Sequence, residues 1–135
     1  MTNTDEFVEE LILYYGRLSK NERPDLDFDI QGDTPWEVLR RWGQEDDPER
    51  AWIVTKELLT RAPDSALGYI AAGPLEDLIS FHGLEFIDRL EEYASRNRRV
   101  AKALDAVIVD RWVPEEVRER LRTICPNLRV DGPGG

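Results

Sequence analysis

Apolar residues recur at helical spacing in nearly every segment from Asp5 to Cys125. Each stripe is closed by a capping residue, a proline or a glycine. A chain patterned this way buries its apolar surface by packing short helices against one another. The first stripe, Phe7, Leu11, Tyr14, Tyr15 and Leu18, predicts a helix over about 5–19. Asp5, Glu6, Glu9 and Glu10 lie near its N-terminus, where the helix dipole favours negative charge. Thr34-Pro35-Trp36-Glu37 is the clearest helix start: a capping threonine, a proline at the first helical position and a glutamate placed for a capping box. That helix should stop at Gly43, and Asp47-Pro48 should open the next, which reaches Arg61. Short helices over 67–72, 74–81 and 84–95 follow, broken at Gly73-Pro74 and at His82-Gly83. Val100, Ala103, Leu104, Val107 and Ile108 mark a further helix. Pro114 opens the last, with Val117, Leu121, Ile124 and Cys125 on its apolar face.

The expected fold is all-α: one compact domain of about eight short helices over residues 1–125. Helix pairs of this length are compatible with HEAT-like units, although no fixed internal period supports a solenoid. Two segments fall outside the helical pattern. Residues 20–33 read as an acidic linker within the domain, in which Asp25, Asp27 and Asp29 alternate with Leu26, Phe28 and Ile30. Residues 126–135 read as a flexible C-terminal tail. Val107-Ile108-Val109 has β-like composition, but its spacing from Val100 and Leu104 is helical.

The 28 acidic and 18 basic side chains give a net charge of −10. The excess is uneven: residues 1–49 hold 14 acidic and 5 basic side chains, residues 50–135 hold 14 and 13. Nucleic-acid binding draws most of its affinity from phosphate neutralisation by a basic face, so this balance argues against it. A lone cysteine, Cys125, suits a reducing compartment. The first residues lack the basic region of a signal peptide, and no uncharged run approaches the ~18 residues of a membrane span. A cytoplasmic protein is expected.

His82 is the only histidine and ends a helix before a glycine, where packing or capping is the ordinary role. The catalytic alternative is a small hydrolase or transferase using His82 with Glu76, Asp77 or Glu85. Glu76 and Asp77 stand six and five positions before His82, off the one-turn spacing of a helical pair. One histidine and one distant cysteine do not make a zinc site. Asp25-x-Asp27-x-Asp29 opens like a calcium loop, but Ile30 and Trp36 stand where that loop needs glycine and glutamate. No metal or cofactor is expected. Arg96, Arg98, Arg99 and Lys102 form a one-sided basic patch suited to an acidic partner or to the acidic third of a second copy.

Ala-Gly-Pro-Leu-Glu-Asp-Leu over 72–78, His-Gly at 82–83 and Phe-Ile-Asp-Arg-Leu-Glu over 86–91 carry a resemblance. Over about 67–109 the chain resembles a small helical bacterial domain family of unknown function. The resemblance implies a helical fold and brings no chemistry with it. From charge and size, the expected role is an immunity- or inhibitor-like module that binds a basic protein. Asp25, Asp27, Asp29 and Asp33 would steer the encounter, and Trp36 and Trp42 would anchor it. A non-catalytic accessory or homo-oligomeric module is the third reading.

Overall fold

The computed structural model describes residues 3–20, 34–126 and 128–131. Most of the linker, with Asp25, Asp27, Asp29 and Asp33, lies outside the described residues. The architecture is mostly all-α, as the periodicity predicts.

Helix α1 (Asn3–Ser19) buries Val8, Leu11 and Tyr15. Helix α2 (Pro35–Arg41) starts at Thr34, whose hydroxyl oxygen accepts the Glu37 N–H at 3.4 Å and donates to the Glu37 carboxylate at 2.9 Å. Helix α2 does not stop at Gly43. It widens into a π turn, Trp42–Asp46, with Gly43 buried against Ala51 and Asp77. The Asp47 N–H closes that turn on the Trp42 carbonyl, and the Asp47 carboxylate then caps α3 (Pro48–Arg61) through the Arg50 N–H.

Three predicted helices are one run. After a 3₁₀ turn at Asp64–Ala66, α4 (Leu67–Ile70) passes through a second π turn, Ala71–Leu75, into α5 (Glu76–Arg96). Gly73-Pro74 therefore does not break the helix. A proline has no N–H to give and crowds the carbonyl one turn back; the wider π turn accommodates both defects. At His82 the run kinks without ending, with φ −139° and ψ 29°.

Helix α6 (Arg98–Ala103) continues as a 3₁₀ turn, Leu104–Ala106, and then leaves helical geometry. The reading of Val107 and Ile108 as helical is corrected here. Val107 and Val109 are buried and Ile108 is exposed, so the period is two, and Ile108–Asp110 form strand β1. Its partner is β2 (Arg129–Asp131), inside the segment read as a tail. The pair is parallel, with Ile108 opposite Arg129 and Val109 opposite Val130. Parallel strands need a crossover, and α7 (Glu115–Ile124) supplies it, packing Val117 onto Gly83 of α5. The core is aliphatic, with Leu11, Leu39, Leu58, Leu75, Leu90 and Leu121 fully buried. Among the described residues no helix is long and apolar enough to cross a membrane.

Candidate functional site

Where α2 and the second π turn meet α1, the surface opens into a cavity of about 320 Å³. Helix periodicity places Tyr14, Tyr15 and Leu18 of α1 on one wall and Trp36, Leu39 and Arg40 of α2 on another. The π turn supplies the third, with Tyr69 before it and Glu76 and Asp77 after it. Tyr14 stacks on Trp36 at 5.7 Å and meets Tyr15 edge-on at 5.1 Å. A Cβ at Gly73 would stand 3.5 Å from the Tyr15 hydroxyl, in ordinary contact, so the π turn packs directly against the phenol.

The polar groups of this pocket are poorly solvated. Burial pushes the Asp77 carboxyl above its ordinary range, while Arg40 and a hydrogen bond from the Gln44 side chain pull it back. Burial likewise raises Glu76, partly offset by the Ile108 N–H, which donates to its carboxylate at 2.8 Å. Tyr15 is raised strongly by burial and then by Tyr14 and Asp77, against the opposing effect of Arg40. The Arg40–Asp77 contact is 3.8 Å, long against the ~2.7–2.9 Å of a charge-assisted hydrogen bond, and Asp77 keeps acceptor capacity.

The four candidate catalytic residues separate. Glu76 and Asp77 line the pocket; His82 and Glu85 do not. The His82 ring donates from Nε2 to the Gln44 carbonyl at 3.1 Å, its Nδ1 lies 3.7 Å from Glu85, and its edge meets Phe86. It ties the kink of α5 to the first π turn. Of the two proposed anchors, Trp36 lines the pocket. Trp42 is half-buried between Phe7, 5.1 Å away, and the Arg50 guanidinium, 4.6 Å over its ring. The tryptophan that stands in solvent is Trp112, 61% exposed and edge-on to Phe81. Tyr14, Tyr15, Arg40 and Tyr69 were not singled out as site residues. The available signal was aromatic density on α1 and α2; the convergence of those helices on one point was not in the sequence. Among the described residues no group of three His, Cys, Asp or Glu side chains is placed to hold a metal ion.

The chain belongs to a family of unknown function, DUF6869, which matches residues 26–127. The match takes in the α2 and π-turn walls of the pocket and leaves out the α1 wall. No curated protein and no solved structure matches the chain.

Proposed function

We propose that the domain is a protein-binding module that takes a cationic side chain of a basic partner between Trp36, Tyr69 and Asp77. The observation that carries this reading is the pocket itself, in which four aromatic rings surround two carboxyls raised by burial. Aromatic faces attract ammonium and guanidinium groups. A partly buried carboxylate gains more from an arriving cation than a fully solvated one does. The net charge of −10 supports fast, salt-sensitive association with a basic surface. An immunity- or inhibitor-like role is the sharper form of the same reading and rests on charge and size.

The test is titration of the ¹⁵N-labelled protein with an arginine- and lysine-containing peptide and with its citrulline and acetyl-lysine counterpart. The basic peptide should shift the Trp36 indole resonance and the neutral one should not. Trp36→Ala and Asp77→Asn should each weaken binding about tenfold, in line with a lost cation–π or charged contact. Equal binding of the neutral peptide, or shifts confined to Trp112, would overturn the assignment of the pocket.

A further inference from the structure

A second cavity, of about 620 Å³, lies between α4 and α6 on a different part of the surface. Its rim is cationic in a chain that is strongly acidic. Four of its lining residues are Arg98, Arg99, Lys102 and Arg129, against two carboxylates, Asp64 and Asp105. The two carboxylates are engaged. Asp64 pairs with Arg99 at 2.8 Å, and Asp105 accepts from the Cys125 thiol at 3.1 Å. Arg99 is engaged as well, since its guanidinium also donates to the Leu59 and Ala62 carbonyls and holds α6 against the end of α3.

Arg98 and Lys102 are left, and Arg129 joins them at the rim. Arg98 and Lys102 stand four apart on α6, where like charges repel, and among the described residues neither has an ion-pair partner. Arg129 comes from β2, with one long bond of 3.4 Å to the Asp105 carbonyl, and its charge also acts on the Glu76 carboxylate. The parallel pairing of β2 with β1 is what brings this third cation to the rim. The apolar part of the lining includes Gly68 and Ala106, which pack closely: a Cβ at Gly68 would stand 3.7 Å from the Ala106 Cβ, in ordinary contact. The volume falls within the ~300–1,000 Å³ of small-molecule sites.

We infer that this cavity binds a phosphate monoester with a flat apolar body, of the nucleoside monophosphate class. Arg98, Lys102 and Arg129 hold the dianion, and the Gly68–Ala106 floor receives the ring. Three cations suit a dianion better than a single carboxylate, and arginine presents donors in the fork that phosphate accepts. Leu67, Gly68, Ala103 and Ala106 give the lining an apolar part against which a planar group can lie. This inference does not depend on the pocket between α1 and α2.

The experiment is a titration of the full chain with adenosine monophosphate, inorganic phosphate, adenosine and succinate, read by amide shifts. Adenosine monophosphate should move the Gly68, Lys102 and Ala106 amides to saturation. Inorganic phosphate should move the same amides more weakly, and adenosine and succinate should fail. Raising salt from about 50 to about 300 mM should weaken binding several-fold, because exposed charges are screened at that strength. The double variant Arg98→Glu/Lys102→Glu should lose at least about tenfold in affinity, each lost charge-assisted bond being of that order. Both side chains are exposed, so its circular dichroism and melting should stay as in the wild type. Arg129→Gln is the second variant and should weaken binding on its own. Absence of saturation, binding of adenosine or succinate as tight as that of the monophosphate, or unchanged affinity in both variants would overturn the inference.

Discussion

Gly83 is where the packing of α5 on α7 is decided. A Cβ there would stand 3.1 and 3.2 Å from the two Val117 methyl carbons, tighter than ordinary contact. Val117 is fully buried and β-branched, so rotating it out of one contact drives the other methyl into the helix. Alanine also favours the helix over glycine by ~1 kcal/mol, which opposes the clash. Overpacking of a buried, rigid site costs ~1–3 kcal/mol, so the clash wins. Gly83→Ala should destabilise by about 1 kcal/mol in chemical denaturation, the difference of those two effects. In a Val117→Ala background the same change should become stabilising, because only the helix preference is left. Destabilisation of the same size in both backgrounds would mean that Val117 is not the obstacle. Next to it, His82 answers a question the sequence posed wrongly. It was read as the end of a helix, and it is a kink held by the Gln44 carbonyl. Glu76 and Asp77 line the pocket and His82 does not.

At the scale of elements, the helices that begin with a cap and end with a proline were legible. Thr34 and Asp47 both cap as their neighbours implied. Helix α2 bears three of the pocket's residues and is only seven residues long, so its first turn depends on Thr34. Thr34→Ala should cost about 0.5–2 kcal/mol by denaturant midpoint, and Thr34→Ser should restore most of it. An unchanged midpoint in the alanine variant would show that the cap adds nothing to α2. Other elements were misread for reasons that lie outside local pattern. Glycine and proline punctuate an α-helix, but at Gly73-Pro74 the chain changed its hydrogen-bond span instead, and the helix went on. Strand β1 is three residues long, and its partner lies some twenty residues further on, beyond α7. Its residues also fit a helical stripe, and only the pairing with β2 settles the choice. The pocket was legible in part for the same reason: the sequence gives the residues on each helix, and tertiary packing decides which helices meet.

For the whole molecule, charge and burial act in the same direction on stability. The net charge of −10 leaves the folded chain with self-repulsion at neutral pH, and protonation relieves it. Asp77 and Glu76 add a specific part, since burial holds both carboxyls above their ordinary range. Between the ordinary carboxylate value near ~4 and the raised folded values, the folded chain binds more protons than the unfolded one. Stability therefore falls as pH rises through that window and recovers on acidification. Glu49 works the other way: its hydrogen bond with Arg89 lowers its pKa, and the stability it contributes is lost as pH drops below the ordinary range. The melting temperature should accordingly fall as pH rises above the ordinary carboxylate range near ~4, and fall also on acidification below it as the ion pairs are protonated. Asp77→Asn removes the more buried carboxyl of the pocket with little change of shape. It should flatten the fall above the ordinary carboxylate range and leave the acid limb in place. Calorimetry of both proteins across that range is the measurement. A wild-type melting temperature that rises with pH above the ordinary carboxylate range, or an Asp77→Asn slope identical to the wild type's, would show that the pocket carboxyls are solvated in the folded protein.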